Sequence, residues 1–241
     1  MDVYTRVDEI MVKANARKSN FLEEERGYFD AVQALERELS YNPDNDYVRK
    51  YLADCLDKYA GYFLPNNEND HVERFKVCKG KYDALKRAIE IDRKCGKDTV
   101  SNRRLPQMIR LAVIACANAS WVADPVILQA SVDMLHHVEY CEILENELKD
   151  PMDIKYFRAI PNMLTSGYAH LAFYYMNEQH RNPVKAFNCI CQALKYMKKE
   201  EICVCDSNPK NPDCKDVLFT RSELEKNKQT IIKLFDKNSS G

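Results

Sequence analysis

Glycine is scarce in this chain: six residues in 241, accompanied by only nine prolines. An all-β protein of this length needs many more turn residues, so sheet-dominated folds are disfavoured from the start. The glycines are scattered singly, so no Gly-rich loop is available to cradle a phosphate. No sign of charge dominates either. There are 36 Lys+Arg against 37 Asp+Glu, a net charge of −1, whereas a dedicated nucleic-acid binder is usually strongly basic. The longest strongly apolar stretch, Leu111 to Ala117, is far shorter than the roughly 20 residues that span a bilayer. The amino-terminal sequence MDVYTRVDEI lacks the basic region and apolar run of a secretory signal. The resulting expectation is an intracellular, cytoplasmic protein.

The ten cysteines agree with that expectation. Most stand singly inside helical patterns, at Cys55, Cys78, Cys116 and Cys141, where cysteine serves as a small buried hydrophobe. That usage suits a reducing compartment. Hydrophobic residues make up 45% of the chain and charged ones 30%, enough apolar surface to fill a core.

The apolar positions recur at helical spacing almost throughout. Helices are expected over 3–18, 20–41, 45–62, 69–94, 99–123, 125–148, 152–178, 183–199 and 217–236, and the fold class is all-α with about nine helices. The breaks carry their own chemistry. Asn42-Pro43 and Asn182-Pro183 interrupt the pattern because proline disfavours helix in the residue before it. Asp124-Pro125 and Asp150-Pro151 read as a capping carboxylate followed by the first helical position. Gly96 is a plausible stop. Pro161 should kink or split the helix that contains it. Residues 200–216, with Pro209 and Pro212, read as an irregular exposed loop. Residues 1–236 are expected to form one helical domain, with 237–241 a disordered tail.

Internal similarity is the most informative feature. Phe29-Asp30-Ala31-Val32 resembles Tyr82-Asp83-Ala84-Leu85, and Val184-Lys185-Ala186-Phe187 resembles both more distantly. The offsets between their alanines, 53 and 102 residues, fit no single period. Within 167–194 the pattern is Leu171-Ala172, then Tyr175, then Ala186 and Ala193. This segment resembles a tetratricopeptide (TPR) helix pair, whose first helix carries a Leu-small pair followed by an aromatic and whose second carries two small residues seven apart. Segment 27–43 resembles the second half of such a unit, with Ala31, Leu35 and a terminating Pro43. It departs from the pattern at Glu38, where a small residue belongs, and the turn from Asn177 to Asn182 is longer than the family's usual one. The resemblance implies antiparallel hairpins in a right-handed, TPR-like stack. The alternative on the same residues is a non-repeating bundle that uses small residues for close packing.

No pattern points to catalysis, to a cofactor or to a metal. There is no Gly-x-Ser-x-Gly elbow and no recognisable catalytic cysteine context. Cys203-x-Cys205, Cys214, Cys189 and Cys191 lack the two-to-four-residue spacing of zinc ligand pairs, and no histidine lies near. Glu68-x-x-His71 is a single copy of a ligand pair that di-metal bundles use twice. His136-His137 reads as a half-buried surface pair.

Charge offers the remaining candidates. Lys79, Lys86 and Arg93 are seven apart on one helix face, and Arg103, Arg104 and Arg110 add positive charge on the next helix. These six read either as a solvated outer face or as a docking surface for an acidic peptide or a nucleic-acid backbone. The leading expectation is a non-catalytic scaffold or adaptor that binds another protein or peptide. A subunit of a nucleic-acid complex using the basic face is the alternative, and a helical enzyme the third reading.

Overall fold

The computed structural model describes residues 2–16, 21–61, 70–96, 98–141, 147–207 and 216–238, except the side chains of residues 21, 98–103, 207 and 236–238. Among the described residues the fold is all-α with one small sheet. Ten helices follow one another as α1 (Val3–Ala16), α2 (Phe21–Tyr41), α3 (Asp46–Gly61), α4 (His71–Lys94), α5 (Asp98–Val122), α6 (Pro125–Glu139), α7 (Pro151–Met176), α8 (Pro183–Tyr196), α9 (Val204–Ser207) and α10 (Arg221–Asn238). Strands β1 (Glu201–Cys203) and β2 (Val217–Thr220) form an antiparallel pair.

The chain was expected to form one helical body over 1–236, and it divides into two compact units. The first comprises residues 1–65 and 79–108; the second comprises 66–78 and 109–241. Helices α4 and α5 each contribute residues to both. In the first unit α1, α2 and α3 pack on one another around Val7, Leu35, Val48 and Leu52. The inner side of α4 is also buried, with Tyr82, Leu85 and Ile89 in this unit and Phe75 in the second.

Most helix starts follow the predicted chemistry. Asp124 caps α6, its Oδ1 accepting from the N–H groups of Val126 at 2.7 Å and Ile127 at 3.2 Å. Asp150 caps α7 through Met152 N–H at 2.8 Å, and Asn182 caps α8 through Lys185 N–H at 3.0 Å. In each case proline follows at a position whose missing N–H costs nothing. Gly96, at φ +70°, follows α4 in the left-handed conformation that glycine adopts without strain.

Three expectations change. Pro161 neither splits nor ends α7, which runs unbroken from Pro151 to Met176; the Thr165 hydroxyl donates to the Pro161 carbonyl at 3.0 Å. Helix α6 ends at Glu139, not at 148. The stretch read as a loop over 200–216 contains β1 and α9, and β2 occupies the residues expected to open the last helix. Ile202 and Phe219 are directly paired across the strands and both are buried, so the hairpin is held by its apolar face. Residues 208–215, including Pro209, Pro212 and Cys214, lie outside the described residues, as do 239–241 of the expected tail.

The second unit centres on α7 and α8. Their facing residues Ala169, Ala172, Ala186, Ile190 and Ala193 are fully buried in one apolar cluster. Alanine at these positions lets the two helices approach, and the cluster continues through Met197, Ile202 and Phe219 to Leu224 and Ile231 of α10. Replacing Ala186 or Ala193 by leucine inserts a larger side chain into this packed layer. Each substitution is expected to cost about 1–3 kcal/mol, read as a lower urea midpoint. Unchanged midpoints for both would contradict close α7–α8 packing.

Candidate interaction site

The six basic residues singled out from the sequence do not form one basic surface. Lys79 on α4 is paired with Asp83, Nζ to Oδ2 at 2.6 Å. Lys86 and Arg93 are exposed on the same helix, but Glu90 is exposed between them. Neighbouring Arg87 reaches Glu36 at 3.5 Å. Acids interleaved at helical spacing cancel much of the field, so the face carries both signs. The side chain of Arg103 lies outside the described residues. Arg104 faces inward. Its guanidinium is only 3% exposed, is paired with Asp92, and reaches Asp57 at 3.4 Å. A side chain so enclosed cannot be part of a solvent-facing docking surface. In the second unit, Arg110 forms a fork, with Nε donating to Asp153 and Nη2 to Asp150, both at 2.5 Å. Asp150 is the α7 cap, and the Met152 N–H, aided by Arg110, holds its carboxyl below the usual range.

Four of the cysteine thiols are held in the protonated form. Burial pushes the Cys55 and Cys116 thiols up to about 12 and that of Cys189 to about 11, so these sulfurs stay protonated and unreactive at neutral pH. The half-exposed Cys203 thiol is also raised, by burial and by neighbouring Cys205. No group of three or more metal-ligating side chains occurs among the described residues. Glu68 of the Glu68-x-x-His71 pair lies outside them; the His71 ring stacks on Trp121 at 5.7 Å and its Nδ1 meets Asn118 Oδ1 at 3.1 Å.

Sequence reasoning missed the network around His136. Its Nδ1 lies 3.2 Å from Glu139 Oε2, and its Nε2 lies 2.8 Å from the Tyr168 hydroxyl. The Tyr196 hydroxyl donates to the same Glu139 oxygen at 3.4 Å. The chain of carboxylate, imidazole and phenol has the connectivity of a proton relay, yet burial pushes the Tyr168 phenol up to about 12, the wrong direction for a nucleophile or base. The network instead ties α6, α7 and α8 together through polar atoms.

An open groove lies in the second unit between α7, β2 and α10. Its volume is about 400 Å³, and it is lined by Phe173, Leu218, Phe219, Glu223, Lys226 and Asn227. Phe173 comes from α7 and the β-hairpin supplies Leu218 and Phe219. The first two turns of α10 supply the polar edge. Phe173 lies in the helix expected over 152–178, and Glu223, Lys226 and Asn227 lie in the one expected over 217–236, whereas Leu218 and Phe219 fall in a strand the sequence did not suggest. A local signal was present: Thr220-x-x-Glu223 is a capping box, marking a helix that starts at Arg221 with something non-helical before it. Comparisons with protein-family models, with curated proteins and with solved structures returned no match.

By length and composition Arg104–Val122 is apolar enough to cross a bilayer, which the short run Leu111 to Ala117 had not suggested. Much of it is buried inside the protein, including Met108, Ile109, Ala112, Val113 and Ala115, as expected of a core helix.

Proposed function

We infer that the protein is a non-catalytic, TPR-like helical scaffold that binds another protein or peptide. The groove carries this reading. It joins an apolar floor to a polar rim, the arrangement by which helical surfaces hold a partner's side chain. The alanine-lined α7–α8 pair supports the TPR-like part. The raised thiol and phenol pKa values support a binding role over a catalytic one, and the mixed charges on α4 favour a protein partner over a nucleic-acid backbone. Cysteines used as small buried hydrophobes, at Cys55, Cys78 and Cys116, fit an intracellular setting.

The test is affinity capture from the native cell with the wild-type chain and with Leu218→Glu, which puts a charge on the groove wall. Leu218 also packs partly against the core cluster, so circular dichroism and a cooperative melt above the assay temperature establish that the variant is folded. Wild-type protein should retain a defined set of proteins after nuclease treatment, and Leu218→Glu should lose them. An identical set on both baits would overturn the reading. Capture abolished by nuclease would move the function to nucleic-acid complexes.

A further inference from the structure

We propose that the groove between α7, β2 and α10 docks an acidic peptide segment, seating a bulky apolar side chain on Phe173 and Phe219 and pairing a neighbouring carboxylate with Lys226. The proposal rests on the scaffold reading and names the chemistry of the partner.

The floor is aromatic and uncharged. The Phe173 and Phe219 rings lie 5.6 Å apart. Behind them His170 packs edge-on against Phe219 at 5.1 Å. Its Nδ1 donates to the Ser166 carbonyl at 2.8 Å, and burial holds its pKa below the ordinary histidine value, so it is neutral at physiological pH. A space of about 400 Å³ accommodates a Phe, Leu or Met side chain with the backbone that carries it. Because the groove is open, the rest of a longer chain can continue out of it.

The rim decides the sign of the partner. It holds one carboxylate and one ammonium group, and the two are not equally available. Glu223 Oε2 accepts from the Thr220 N–H at 3.0 Å and from its hydroxyl at 2.9 Å, while the Glu223 N–H donates back to Thr220 Oγ1 at 3.2 Å. This reciprocal pair fixes Glu223 as the capping-box partner of Thr220, at a helix end whose dipole already offsets negative charge. Lys226 attracts Glu223 at longer range. The Lys226 ammonium is exposed, and neither it nor the Asn227 carboxamide has a hydrogen-bond or ion-pair partner among the described residues. Over the whole of α10, Arg221 and four lysines (Lys226, Lys228, Lys233 and Lys237) stand against three acids (Glu223, Glu225 and Asp236), so the helix is net positive. The open donors are therefore cationic or neutral. A carboxylate three or four residues from the apolar anchor of a helical peptide complements them. A lysine in that place would meet repulsion.

The probes are short fluorescein-labelled helical peptides containing Phe-Ala-Ala-Glu-Glu, the Gln-Gln and Lys-Lys versions of it, and a version with Ser for Phe. Binding to the intact chain is followed by fluorescence polarisation. The acidic peptide should bind about fivefold more tightly than the Gln-Gln version at low salt, and the gap should narrow as salt rises. The Ser version should lose most of the affinity. Lys226→Glu, an exposed change whose fold is checked by circular dichroism, should reverse the preference toward Lys-Lys. Equal binding of the acidic and Lys-Lys peptides, or an acidic preference unmoved by Lys226→Glu, would overturn the proposal. So would no binding of the acidic peptide below about 1 mM, or displacement of it by decanoate at equal concentration, which would put an amphiphile in the groove. Peptides that bind without acidic preference end this proposal and leave the scaffold standing. A capture set unchanged by Leu218→Glu ends the scaffold reading itself.

Discussion

Replacing Asp92 with alanine is expected to destabilise the protein by about 3–5 kcal/mol, a large share of the roughly 5–15 kcal/mol that holds a typical domain together. Asp92 is 5% exposed and lies against the Arg104 guanidinium. Without it the buried cation keeps only Asp57 at 3.4 Å, whose side chain is 44% exposed, and the Ala53 carbonyl at 3.5 Å. Neither replaces a desolvated carboxylate in contact. For a chain of this size the melting temperature should fall on the order of 10 °C. The double change Asp92→Leu with Arg104→Met removes both charges and should recover most of the loss, because burying two ions costs nearly what their attraction returns. Chemical denaturation of the two variants measures both effects. If Asp92→Ala costs under about 1 kcal/mol, Arg104 is solvated in solution and returns to the candidates for a docking surface.

The second large effect lies in the other unit, at Gly167 of α7. A Cβ placed there would stand 2.7 Å from Val132 Cγ2 and 3.4 Å from Cys116 Sγ. Val132 is fully buried on α6, and its branched side chain has few rotamers to retreat into. On an exposed helix Gly→Ala would gain about 1 kcal/mol. Here the overpacking outweighs that gain, and Gly167→Ala is expected to destabilise by about 1–2 kcal/mol net. Adding Val132→Ala removes the obstructing methyl, so the two changes should couple by at least about 1 kcal/mol in a double-mutant cycle. A Gly167→Ala protein that melts higher than wild type would mean that α6 and α7 do not approach this closely.

The two predictions divide along what the sequence could convey. Gly167 stands at the start of the segment with TPR-like spacing, and the small residues after it, Ala172, Ala186 and Ala193, are buried where the pattern expected close packing. Periodicity is a local property, and so is the capping chemistry of Asp124-Pro125, Asp150-Pro151 and Asn182-Pro183. Both act within a few residues of chain, so the all-α class and most helix boundaries were legible. The hairpin of β1 and β2 was not. Strands of three and four residues are too short to display a period, and their pairing depends on Ile202 meeting Phe219 across residues 204–216, whose Asn-Pro steps signal a loop and not a tight hairpin turn.

The sequence by itself determined that this chain is helical, where most of its helices begin, and which alanines lie at close contacts, because those outcomes follow from interactions spanning a turn or two of helix. Tertiary structure alone decided what became of the charges and where a groove opened. Lys79, Arg104 and Arg110 read alike in the sequence, as basic residues at helical positions. One is exposed beside Asp83, one is sealed against Asp92, and one is forked onto a helix cap, because the partners that fix a charge's environment are remote in the chain for two of the three. The groove likewise gathers Phe173 from one helix with Leu218, Phe219 and Lys226 from residues some forty-five to fifty-three positions later, and only the packing of α7 against the hairpin and α10 brings them to one surface.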